Sequence, residues 1–160
     1  MAAEVEVRAF RAGDGEGCAR AWLDAARYYV DRDPENFHLP AEAGLAEWFE
    51  QARAGDGPPV LRLVATVAGQ VAGLVVATLE APLPDARFQL VSAAAVVRVY
   101  VNALVVAGRY RRTGVGTALM KAVERWGEST ARCWLPWTRT FAVRCRCRSM
   151  RTGWATCGTA

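Results

Sequence analysis

Polar and apolar residues alternate at the start of the chain, where "EVEVRAF" predicts a first strand over Glu4–Phe10. Asp14 is placed to cap a helix over roughly residues 15–30, with Ala19, Trp22, Leu23, Ala26 and Val30 on one face. "DRDPENFHLP" breaks that pattern. Pro40 then suits the first turn of a second helix, roughly Ala41–Ala54, with Leu45, Trp48 and Phe49 facing inward. "GDGPP" reads as a loop. Two apolar runs, Val60–Val67 and Gln70–Leu79, flank a tight turn and predict a hairpin. "AAAVVRVYVNALVV" predicts a long strand ending near Val106. From about Val115 the period returns to that of a helix, with Val115, Leu119, Val123 and Trp126 on its buried face. The order β-α-α-β-β-β-α predicts an α+β (mixed α/β) domain with a largely antiparallel sheet.

Composition changes the picture at one place. The 160 residues are 52% hydrophobic, enough for one domain with a real core, and no run of about 18 apolar residues suggests a membrane span. No apolar leader is visible at the start, so a cytoplasmic protein is expected. The net charge of +4 conceals a split: through Glu128 there are 14 basic and 16 acidic residues, whereas residues 129–160 hold six arginines and no acid. Cys133, Cys145, Cys147 and Cys157, with three of the six tryptophans, fall in that basic end.

The chemistry concentrates in "RYRRTGVGTALM". Glycines at a strand-to-helix junction let the backbone approach a ligand, and the first N–H groups of a helix attract anions. Gly114 and Gly116 flank Val115, Arg111 and Arg112 bring charge, and Thr113 or Thr117 can add a hydroxyl. The stretch therefore predicts a diphosphate cradle. Neither the P-loop nor the Rossmann spacing fits: Lys121 lies five residues beyond Gly116, and Leu119 stands where a third glycine belongs.

Arg111-Arg112-Thr113-Gly114-Val115-Gly116, after a long strand and before a helix, resembles the acetyl-CoA motif of the GNAT superfamily of N-acetyltransferases, [RQ]-x-x-G-x-[GA]. The likeness covers about four fifths of the chain, Glu4 to Trp126. It implies the GNAT-like acyltransferase fold, acetyl-CoA as co-substrate and a primary amine, small or peptidic, as acceptor. It also implies that Leu104, Val105 and Val106 splay from the neighbouring strand and pair with the pantetheine arm. A backbone N–H there would stabilise the thioester oxyanion, and Arg111–Thr117 would hold the pyrophosphate. No metal is implied.

The acceptor amine must lose a proton. Glu80, at the end of the third strand, is one candidate base, and Tyr100 and Asn102, two apart on the long strand, are others. Asp24, Asp31 and Asp33 are read as capping or solvating the first helix. Tyr28 and Tyr29 could line an acceptor pocket, as the segment joining the first helices does in this family. His38, the only histidine, is read as solvent-facing.

From Cys133 onward the likeness fails. The family continues with a buried strand, a helix whose tyrosine protonates the leaving thiolate, and a closing strand. Residues 133–160 contain no tyrosine and no acid, and show no clear strand-helix-strand pattern. Arg, Cys, Trp and Thr are frequent products of a GC-rich gene read out of phase. Moved back one nucleotide with GC-rich codons assumed, the segment can read Leu-Ala-Ala-Leu-Asp, then Pro-Val-Ser-Val-Pro. A frameshifted tail is therefore expected, packing poorly and leaving an open sheet edge through which two copies could pair as a homodimer. Two other functional classes compete with the enzyme: a GNAT-like domain that binds acetyl-CoA with little catalysis, and a nucleic-acid binder using the basic tail. The acidic body argues against the last.

Overall fold

The computed structural model describes residues 4–51, 59–134 and 141–145. Strands β1 (Val5–Ala9), β2 (Val60–Val67), β3 (Gln70–Glu80), β4 (Val97–Val106) and β5 (Phe141–Cys145) form one sheet in that spatial order. The first four are antiparallel and β5 runs parallel to β4. Helix α1 (Gly15–Val30) and the short α2 (Leu45–Gln51) pack on one face, and α3 (Val115–Trp134) covers the other. This is the mixed, largely antiparallel α+β architecture expected from the element order.

Alternation explains the two cores. Val97, Val99 and Val101 of β4 face α3 and meet Val115, Leu119 and Val123, all at most 2% exposed. On the other face Val64, Leu74 and Val105 pack against Cys18, Ala21 and Ala25 of α1 and Phe49 of α2. A bulge in β4 reconciles the two sets. Val76 pairs with Ala103 and Ala77 with Val101, so Asn102 is the extra residue. Beyond it the strand's facing is inverted: Leu104 and Val106 join the α3 side, and Val105 the α1 side.

Local chemistry sets the connections. Ala68 and Gly69 have φ of 49° and 75°, the two-residue turn whose twist suits a hairpin. The second helix begins at Leu45 rather than Ala41, because Gly44 has φ of 80°, a left-handed conformation a helix cannot contain. Its predicted end, residues 52–54, lies outside the described residues. Leu45 and Phe49 face inward as expected, but Trp48 is 55% exposed. The first helix has the predicted limits, yet its buried stripe is rotated toward Cys18, Ala21 and Ala25, with Trp22 and Leu23 at its margin.

Asp14 does not cap with its side chain. Its carboxylate instead accepts two bonds from the Arg8 guanidinium (2.7 and 2.8 Å) and one from the Arg11 N–H (2.7 Å). The helix end is served by Glu50 of α2, whose Oε1 accepts from the N–H groups of Gly13 (2.9 Å) and Gly15 (2.7 Å).

Phe141–Cys145 corrects the reading of the basic end as lacking a strand. It pairs in register with Val97–Val101, and the alternation Phe141, Val143, Cys145 is its sequence signal. Residues 135–140 and 146–160 lie outside the described residues.

Candidate acetyl-CoA site

The long strand delivers the chain into a turn at Gly108–Tyr110 and then into α3. Arg112 and Gly114 have φ of 65° and 89°. For Arg112 this is a strained, left-handed state; for Gly114 it is the reason for glycine. A Cβ built on Gly114 would meet nothing within 4 Å, so the space above the turn is open. At Gly116 the nearest atom would be Val106 Cγ2, at 3.6 Å. The Ala118 N–H donates to the Gly114 carbonyl, so the N–H groups of Val115, Gly116 and Thr117 emerge from the helix end without an acceptor inside it. Open space above the turn, outward N–H groups and the positive helix end fit a diphosphate.

The side chains around this turn divide into engaged and free. Arg111 Nε donates to the Val106 carbonyl (3.2 Å), Nη2 lies 3.4 Å from Asp24 Oδ2, and its guanidinium carbon sits 4.6 Å from the centre of the Tyr28 ring. Thr113 Oγ1 donates back to the Tyr110 carbonyl at 2.6 Å. Arg109 donates to Gln70 Oε1 at 2.8 Å. Arg112 and Thr117 are exposed.

Asp24 has a role that sequence reading missed. Its carboxylate accepts from the Gly108 N–H as well as facing Arg111, tying α1 to the turn. Tyr28 is held between Arg32 (3.5 Å) and Arg111, and Tyr29 stacks on Phe37 with ring centres 5.0 Å apart. The aromatic end of α1 therefore borders the turn. His38 is exposed, as expected.

The proton-transfer candidates lie further along the sheet. β5 pairs with Val97–Val101, so among the described residues Asn102–Val106 have no partner on that side of β4. Asn102, the bulged residue, donates to Thr78 Oγ1 at 3.3 Å, and Tyr100 pairs with Thr78 across the strands. Glu80 is tied to Arg98 at 3.4 Å. It lies seven residues along β3 from Gly73, the partner of Val106, which is about 23 Å at the rise of a strand. The structure thus groups Asn102, Tyr100 and Thr78, and puts Glu80 beyond them, away from the end of β4 that leads into the Gly114 turn. Among the described residues no three His, Cys, Asp or Glu side chains form a metal-holding group, and no helix is long and apolar enough to cross a membrane.

Comparison with known proteins agrees with this fold. The profile of the Acetyltransferase (GNAT) family matches residues 19–145. The chain belongs to that family. Among solved structures it is similar to a mutant of the BH1408 protein from Bacillus halodurans, with a TM-score of 0.70 at 18% identity over 97% of this chain and 98% of that one. A GNAT family acetyltransferase from Staphylococcus aureus has a TM-score of 0.57 at 13% identity, covering 98% and 97%. An aminoglycoside N-acetyltransferase in complex with CoA has a TM-score of 0.50 at 19% identity, covering 90% and 78%. At these identities the likeness is one of fold. No curated protein matches the chain.

Proposed function

We propose that the protein is an acetyl-CoA-dependent N-acetyltransferase acting on a primary amine. The observation that carries this reading is the turn at Gly114: a left-handed glycine with open space above it, leading into the free N–H groups of α3. Acetyl-CoA would supply an acyl group activated as a thioester. The N–H groups of Val115, Gly116 and Thr117, with Arg112, hold its pyrophosphate; Asp24, through Gly108 and Arg111, fixes the turn that presents them. The unpaired side of Leu104–Val106 takes the pantetheine amides. Asn102, on the bulge, and Tyr100, two residues before it, flank the amine, whose nitrogen bonds to the acetyl carbon as the carbon–sulfur bond breaks. The proton given up by the amine passes to a water held by Tyr100 and Asn102, or to Glu80, and the departing thiolate takes up a proton on release. The setting is the cytoplasm.

That a CoA-bound aminoglycoside N-acetyltransferase shares the fold supports the donor but does not extend to the acceptor. One observation favours a binder with little turnover: Glu80, the carboxylate candidate, is ion-paired with Arg98 and remote from the cradle. The test is to supply acetyl-CoA with a panel of amines, follow release of free thiol, and identify acetylated amine by mass. Thiol release matched by acetylated product supports the enzyme. Tight acetyl-CoA binding with no product from any amine supports the binder.

A further inference from the structure

Between α1, α2 and the sheet lies a cavity of about 110 Å³ walled by Phe10, Cys18, Trp48, Phe49 and Leu74. One cation lines it, Arg62. Arg62 is the one charged residue of β2 and stands opposite Val76. Its Nε is buried without a hydrogen-bond partner among the described residues. Three described acids are engaged elsewhere: Glu50 with Gly13 and Gly15, Asp14 with Arg8, Glu80 with Arg98. A buried guanidinium nitrogen with no partner is costly, and arginine's planar fork matches an oxyanion.

The location connects this cation to the proposed reaction. Arg62 pairs with Val76, and Val76 with Ala103, next to the Asn102 bulge. Two strand spacings separate Arg62 from that bulge, about 10 Å, a gap that an extended arginine and a small molecule can span together. The pyrophosphate cradle is on the far side of the bulge. We infer that Arg62 recognises an oxyanion on the acceptor, so that the acceptor is a small primary amine carrying a carboxylate or phosphate, its apolar part against Trp48 and Phe49. This rests on the acetyltransferase reading of the same site.

The test is calorimetric titration, with CoA present, of amino acids against their amides and of phosphoethanolamine against ethanolamine, on the parent and on Arg62→Gln and Arg62→Lys. At least one oxyanion amine should bind about tenfold to a hundredfold more tightly than its neutral partner, as a charge-assisted pair implies. The carboxylate and phosphate arms tell which oxyanion is read. Arg62→Gln should shrink that preference to within about threefold, and Arg62→Lys should restore part of it. Far-UV circular dichroism checks that both variants fold. The inference is overturned if no oxyanion amine is preferred, or if Arg62→Gln keeps the preference. A separate titration with acetyl-CoA alone tests the donor site. Its failure would sink the acetyltransferase reading, whereas acetyl-CoA binding with neutral amines preferred would sink only the role of Arg62.

Discussion

Replacing Asp14 by alanine probes the joint that seats α1 on the sheet. In the parent the Asp14 side chain is 9% exposed and takes both arms of Arg8, whose side chain is 19% exposed, plus the Arg11 N–H. Removing it leaves a largely covered guanidinium without its partner. Hydrogen bonds to charged groups are worth about 1.5–3 kcal/mol, and breaking a fully buried pair costs about 3–5 kcal/mol. The partial exposure of Arg8 places Asp14→Ala near 3 kcal/mol, or about 6–12 °C in Tm for a chain of this size, by the usual ~2–4 °C per kcal/mol. The Arg8 guanidinium bonded to Asp14 holds its carboxyl below the usual carboxylate range, against the opposing effect of burial. A depressed carboxyl stabilises above its unfolded pKa of about 3.9 and loses that contribution as pH falls through the lower folded value. Thermal unfolding of parent and variant at pH 7, 5 and 3 should therefore show a full gap at the first two and a smaller gap at pH 3. A gap below about 1 kcal/mol at pH 7, or one that does not change with pH, would refute the reasoning.

Leu119→Ala, at a fully buried position where α3 meets the sheet, should cost about 2–5 kcal/mol in denaturant unfolding. Burial pushes the Cys18 thiol up to about 12, so its stabilising share is present below the unfolded thiol pKa and lost as pH rises toward 12; the stability gap between parent and Cys18→Ala should narrow from pH 8 to pH 11. If Glu80 takes the proton, Glu80→Gln should lower turnover and leave acetyl-CoA binding intact, while unchanged turnover moves the role to Tyr100, Asn102 or water. The proposal that the reading frame is lost near residue 133 predicts that the gene, read one nucleotide back, encodes Leu-Ala-Ala-Leu-Asp there; a codon sequence without it removes the proposal, and the strand at Phe141–Cys145 already weighs on that side.

Much of this fold was legible because its signals are local. Alternation marked β1, apolar runs around a tight turn marked β2 and β3, a long β-rich run marked β4, the helical period marked α1 and α3, and the glycines at 114 and 116 marked the junction between β4 and α3. Long-range pairing hid the rest. Asp24 looks like a solvated helix residue until the fold brings it to Gly108, 84 positions away. Arg62 is a single charged letter in a mostly apolar strand, with nothing nearby in sequence to mark the cavity it lines. The bulge at Asn102 depends on the register of two strands and leaves no mark of its own in an apolar run. In the basic end, an unusual composition masked the five-residue alternation of β5.

The central claim is that acetyl-CoA binds at the β4–α3 turn, and calorimetric titration of acetyl-CoA into the parent, Gly114→Ala and Gly114→Asp tests it most directly. Alanine at φ of 89° should cost about 1–2 kcal/mol of stability but, with open space above the turn, should weaken binding by less than about tenfold. Aspartate puts a negative charge where the pyrophosphate belongs; one like-charge pair at about 5 Å and an effective dielectric near 20 costs about 3 kcal/mol, a loss of more than a hundredfold. Binding in the parent that is lost in Gly114→Asp and kept in Gly114→Ala is the predicted result. No binding in the parent, or equal affinity for the parent and Gly114→Asp, would contradict the account.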